Sequence, residues 1–220
     1  MRDPDGDWEI ARNASLAICI ASYEQQNHRD MIASSLCVQV IVQMVSRATY
    51  PEVQTHAAVT IANMCHKDET AQSIFGSNGA IEALIELLSV RIPDVLEAST
   101  SALANLTSFC DKNCKLVFLS NGVQKIMEVL SQPFSENVLD LDQNDEVQAN
   151  AAELLSNISR FSTADTVKYF PIAVIDALVM MCASSHKQLR RQVPLVMGNI
   201  AQSETCRADI GDMRTLILCY

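Results

Sequence analysis

Val53-Gln54-Thr55-His56-Ala57-Ala58-Val59-Thr60-Ile61-Ala62-Asn63-Met64 is the stretch on which the fold turns, because it returns three times. It comes back as 95–106, ending Leu103-Ala104-Asn105-Leu106, and as 147–158, ending Leu155-Ser156-Asn157-Ile158. The last copy is 189–200, ending Met197-Gly198-Asn199-Ile200. The four asparagines are separated by 42, 52 and 42 residues. A period of this size marks an array of helical units, each burying its apolar face against its neighbours. Within a copy, apolar residues fall at i, i+4, i+8 and i+11: Val53, Ala57, Ile61 and Met64, or Val147, Ala151, Leu155 and Ile158. That is helical spacing, not strand alternation.

Composition agrees with packed helices. Apolar residues are 49% of the 220, aromatics only 5%. The formal net charge of −10, from 26 acids against 16 bases, argues against nucleic acid, whose affinity comes mainly from neutralised phosphates. It argues equally against an anionic membrane, and favours encounter with a basic protein or peptide. None of the eight cysteines forms a Cys-x-x-Cys pair, and several lie in apolar helical stretches, so free thiols in a reducing compartment are expected. No stretch reaches the roughly 18 apolar residues of a membrane span, and the acidic first nine residues do not read as a signal peptide. The glycosylation triplets at Asn13, Asn105 and Asn157 fall inside predicted helices and read as coincidence.

Outward from the repeated stretch, helix starts carry a turn residue and an acid: Pro51-Glu52, Pro93-Asp94 and Asn144-Asp145-Glu146. Proline suits the first turn, and acids suit the positive end of the helix dipole. After each long helix comes a polar link, a second apolar segment and a turn, Ser77-Asn78-Gly79 or Ser120-Asn121-Gly122. There the glycines are expected to supply a positive φ. A further helix follows at 80–88 and 123–130, with counterparts at 37–45 and 174–182. Each unit thus holds a short, a medium and a long helix, the long one carrying the asparagine. Trp8 to Ala21 aligns as another long helix, with Ile20 where the asparagine would stand. Pro194 removes a hydrogen bond from the last long helix and is expected to kink it.

Gly79-Ala80-Ile81-Glu82-Ala83-Leu84-Ile85-Glu86-Leu87-Leu88 and the run Glu97 to Leu106 resemble the armadillo-repeat family. The chain is therefore expected to be all-α, a right-handed α-solenoid of about four to five armadillo repeats, incomplete at both ends. It would run as one domain over 1–220, with approximate units 1–46, 47–90, 91–131, 146–183 and 184–220 and an acidic insertion at 132–145. The resemblance implies that the long third helices line a concave groove for extended partners, with Asn63, Asn105, Asn157 and Asn199 facing it. In import adaptors of this family a Trp sits one turn before the Asn. Here that position holds Val59, Ser101, Glu153 and Leu195, so stacking on a basic import signal is not implied. Catenin-like members line the groove with bases. Here His66, Lys67, Lys112 and Arg160 form only a thin row.

The residues leave two roles open for the asparagine column. Units about 10 Å apart match three residues of extended peptide at roughly 3.3 Å each, and an amide can both donate to and accept from a peptide backbone. Alternatively, each asparagine braces neighbouring helices by bonding a free carbonyl at a helix end. Other chemistry is thin. Cys110 and Cys114 with His66 do not make a zinc site, no histidine has a nucleophile and carboxylate arranged around it, and the six glycines form no phosphate loop. Arg190 and Arg191 read as a solvated helix start, the alternative being contact with an acidic segment of a partner or with the chain's own acidic loop.

The expected function is a non-catalytic scaffold that binds a protein or extended peptide through Asn63, Asn105, Asn157, Asn199, Val59, Ser101 and Glu153, with no metal and no cofactor. The expected location is the cytoplasm, with the nucleus as a second compartment. The alternative is a structural or regulatory segment of a larger armadillo protein without peptide binding of its own.

Overall fold

The third helices dictate the architecture. In the computed structural model, which describes residues 4–24, 26–33, 35–47, 49–131, 141–160 and 187–201, every regular element is an α-helix among the described residues. Chain order gives α1 (Pro4–Glu24), α2 (Gln26–Ile32), α3 (Ser35–Arg47), α4 (Pro51–Cys65), α5 (Glu69–Ser77) and α6 (Ala80–Leu87). Next come α7 (Pro93–Thr107), α8 (Asp111–Leu119), α9 (Gly122–Ser131), α10 (Leu141–Ser159) and α11 (Lys187–Ile200). The long helices α1, α4, α7, α10 and α11 pack each on the next. Complete three-helix units are α2–α4, α5–α7 and α8–α10, so the chain is an armadillo-type α-solenoid.

Packing, not propensity, holds the short helices. α5, α6 and α8 have 9, 8 and 9 residues, below the length at which an isolated helix is stable in water. Each contributes side chains to one continuous core with Leu84, Leu96, Leu103, Leu106, Ile126 and Leu155 fully buried, about 1.5–3 kcal/mol for each such side chain. The starts behave as the sequence implies. Pro51 and Pro93 occupy the first turns of α4 and α7, and Asp68 caps α5 by accepting from the Ala71 N–H at 2.9 Å. At the beginning of the stack, Trp8 of α1 meets Tyr50 edge-on at 5.8 Å between ring centroids, and the Arg12 guanidinium lies 5.0 Å over the Trp8 ring.

One expectation changes. Gly79 takes the left-handed φ of 85° as foreseen, but in the second turn that role falls to Asn121 at φ 57°, and Gly122 opens α9. Gly122 is needed for a different reason: a Cβ there would stand 2.6 Å from Val117 Cγ1 and 2.8 Å from the Val117 carbonyl. The acidic insertion expected at 132–145 is described only from residue 141. Residues 141–145 belong to α10, where acids suit the positive end of the dipole, and 132–140 lie outside the described residues. Pro194, where a kink is expected, lies within α11, which continues on both sides of it. The segment 174–182 and most of the units 146–183 and 184–220 also lie outside the described residues.

Candidate functional site

The last four carbonyls of any helix lack intrahelical donors, and in this stack the next unit provides them. Asn105 Nδ2 donates to the Ala62 carbonyl at 3.1 Å, and Asn157 Nδ2 to the Ala104 carbonyl at 3.0 Å. Both carbonyls lie in the last turn of the preceding third helix. The remaining end carbonyls of α7 are also met. The Ser108 hydroxyl donates to Asn105, Asn113 Nδ2 to Leu106, and the Cys114 thiol to Thr107. In α4, Gln72 Nε2 donates to the Cys65 carbonyl at 3.0 Å. Asn63 and Asn199 reach back differently, donating to the hydroxyls of Ser22 at 3.0 Å and Ser159 at 2.9 Å. Ser159 stands two residues after Asn157, and Ser22 two residues after Ile20, so Ile20 holds the asparagine position on α1.

The oxygens of Asn105 and Asn157 meet members of the basic row. His66 Nδ1 donates to Asn105 Oδ1 at 3.4 Å, and the Arg160 guanidinium donates to Asn157 Oδ1 at 2.8 Å and to the Ser108 carbonyl at 2.9 Å. Asn157 is 7% exposed, whereas Asn63, Asn105 and Asn199 are half-buried.

A depression of about 410 Å³ opens where α4, α7 and α10 lie side by side. Val59, Asn63 and Ser101 line it, so three of the sequence-derived residues come together there. Glu153 is exposed on α10, and Asn105, Asn157 and Asn199 are not among its lining residues. The structure adds carboxylates that pattern reading missed: Asp94 and Glu97 from α7 and Glu146 from α10, with Thr55 and Asn150 beside them. Partial burial, and then the like charges of Glu146 and Asp94, raise the Glu97 carboxyl above its ordinary value. A signal for these acids was present. Glu52, Asp94 and Glu146 each stand 11 residues before their asparagine, but that spacing served only to mark helix starts.

Cys65, Cys114 and His56 have structural surroundings. Burial pushes the Cys114 thiol up to about 12, and raises Cys65 well above the usual thiol range, which removes thiolate reactivity. His56 Nδ1 donates to the Ser15 hydroxyl at 2.9 Å, because that hydroxyl itself donates to the Arg12 carbonyl. Among the described residues, no three His, Cys, Asp or Glu side chains are placed to hold a metal ion, and no helix is long and apolar enough to cross a membrane.

Comparison with known proteins fits this geometry. A family model described as protein zer-1 homolog-like, C-terminal domain, matches residues 1–163. Armadillo repeat-containing protein 3 of Homo sapiens is 27% identical over 153 residues, covering 69% of this chain and 16% of that protein. The chain spans 16% to 25% of the length of the curated relatives it matches. An engineered protein superposes with a TM-score of 0.78 at 25% identity, over 93% of this chain and 48% of the other. A designed armadillo repeat protein in complex with the peptide (KR)4 superposes with a TM-score of 0.76 at 16% identity, over 93% and 81%.

Proposed function

The chain belongs to the protein zer-1 homolog-like, C-terminal domain family and has the armadillo-repeat fold, and from that premise we propose that it is a non-catalytic scaffold whose third-helix groove binds an extended, basic segment of a partner protein. The observation that carries this reading is the depression between α4, α7 and α10, where Val59, Asn63 and Ser101 lie beside Asp94, Glu97 and Glu146. Carboxylates that repel one another in a half-buried site favour a cation between them. The net charge of −10 steers a basic segment toward the chain. The designed armadillo neighbour that holds (KR)4 supports the same chemistry.

Asn63, Asn105 and Asn199 each keep a second amide hydrogen for a peptide backbone after bracing the preceding helix. Asn157 is the most buried of the column and contributes mainly as a brace. Ser101 and Glu153 extend the polar face toward α10. A cytoplasmic location accords with the free buried thiols.

The test is fluorescence anisotropy with labelled (KR)4, an acidic octapeptide as control. Saturable binding of (KR)4 is expected. It should weaken about tenfold in Glu97→Gln/Glu146→Gln, which should melt no lower than the parent, and in Asn63→Ala at a temperature where that variant remains folded. Affinity unaltered by both variants would overturn the proposal.

A second reading, a structural arm of a larger assembly, draws on apolar side chains that α1–α3 leave open, Ile10 at 69% and Tyr23 at 77% exposed. Light scattering tests it: a monodisperse monomer with a cooperative melt opposes this reading.

A further inference from the structure

We propose that the cleft between α5 and α8 is a second docking surface, which takes an acidic peptide segment carrying an apolar side chain. This cleft, about 290 Å³, is lined by first helices only and shares no residue with the third-helix groove. Its wall on α8 is Lys112, Lys115, Leu116 and Leu119, spaced i, i+3, i+4 and i+7 and so on one helix face. Asn113 is also part of this lining, its amide donating to the carbonyls of Gln72 and Leu106, while the buried Cys114, Val117 and Phe118 pack α8 against the core. Leu116 is half-buried and also packs against the core, whereas Leu119 is 63% exposed and open to an occupant.

The other wall is Ser73 and Ser77 of α5. The Ser77 hydroxyl is turned into its own helix, donating to the Ser73 carbonyl at 2.7 Å, so this wall offers no charge. Among the described residues, neither Lys112 nor Lys115 is paired with a carboxylate. In a chain of net charge −10, two ammonium groups beside the exposed Leu119 form a local patch of opposite sign. Charge complementarity selects an acidic occupant, and the leucines select one with an apolar residue about one turn or two extended residues from the acid. A basic segment is repelled here and directed to the third-helix groove, so the two surfaces sort partners by sign.

The experiment is selection of a phage-displayed random dodecamer library on the whole chain, on Lys112→Glu/Lys115→Glu and on Glu97→Gln/Glu146→Gln. Selection on the unaltered chain should enrich a family with acidic and apolar residues. That family should disappear on the lysine variant and persist on the glutamate variant. The synthesised peptide should bind the lysine variant at least about tenfold more weakly, with superimposable thermal melts. Leu119→Ser gives an independent check, because it should weaken the same peptide without changing charge. No enriched acidic family, or equal affinity for the unaltered chain and for both the lysine and leucine variants, overturns the proposal. Concentration-dependent self-association that the lysine variant abolishes would replace the peptide with a second copy of the chain, and overturns it too. Loss of basic peptides on the glutamate variant bears only on the third-helix groove.

Discussion

Asn157 and Ala104 are 53 residues apart in the chain, and the Asn157 amide donates to the Ala104 carbonyl at 3.0 Å across the interface between two third helices. Its oxygen meanwhile accepts from Arg160, so a buried side chain has both ends engaged. Asn157→Ala removes the brace inside a nearly dry interface, and should lower stability by about 1–3 kcal/mol. Asn63→Ala should cost less, because Asn63 is half-buried and its acceptor is the Ser22 hydroxyl. Urea unfolding midpoints at constant slope measure both. Equal losses would contradict the assignment of Asn157 as the stronger brace.

Gly76 of α5 faces Asn113 of α8, and a Cβ on Gly76 would stand 1.9 Å from Asn113 Oδ1. Asn113 cannot step aside freely, because its Nδ2 donates to the carbonyls of Gln72 and Leu106, each at 2.8 Å. Gly76→Ala should therefore cost about 1–3 kcal/mol as overpacking. Asn113→Ala leaves those two buried carbonyls short of a donor and should destabilise as well. The two losses should be clearly less than additive in the double variant, because the clash disappears with the Asn113 side chain. Full additivity in a double-mutant cycle would show that the contact is not the cause.

These two pairs also show what a sequence can and cannot reveal. The third helices were legible because Pro51-Glu52, Pro93-Asp94 and the recurring asparagine state a start, a period and a face within single local stretches. The acceptor of each asparagine was not legible. It depends on the residue two places beyond the same position in the preceding helix and on how closely the two helices stack: Ser22 and Ser159 accept through their hydroxyls, Thr107 accepts beside the Ala104 carbonyl, and at Cys65 the Ala62 carbonyl serves instead. The acids tell the same story. Glu52, Asp94 and Glu146 look like helix starts one at a time, and only stacking brings Glu146 toward Asp94 and Glu97. At Gly122 the demand for glycine is tertiary, because an added Cβ would meet Val117 and Ile85, and Ile85 belongs to another unit.

His56 makes the contact between α1 and α4 sensitive to acid. Burial, opposed by Glu52 and assisted by the Arg12 cation on α1, holds its imidazole below the ordinary value of 6.5. The unfolded chain then binds the proton more readily, so stability is full above about 6.5 and falls as pH drops toward the depressed folded value. His56→Gln should flatten the unfolding midpoint over that window, most visibly for probes near Trp8 and Tyr50. An imidazole that titrates at or above 6.5 by NMR would sink this prediction.

Glu97 has the opposite linkage. Its carboxyl is raised by burial and by Glu146 and Asp94, so the folded chain binds a proton more readily than the unfolded one. Stability from this group is therefore lowest at neutral pH and recovers as pH falls through the raised value toward the ordinary 4.5. Glu97→Gln removes the repulsion and should leave the chain at least as stable as the parent at neutral pH, the difference shrinking on acidification. Added salt should narrow the gap at neutral pH, since the site is only partly buried and remains open to screening. A basic peptide should do the same job as the substitution. It places a cation among the three carboxylates, so saturating (KR)4 should raise the melting temperature of the parent more than that of Glu97→Gln. If the two rise equally, the acids do not hold the peptide, and the groove must bind through its asparagines and apolar face alone.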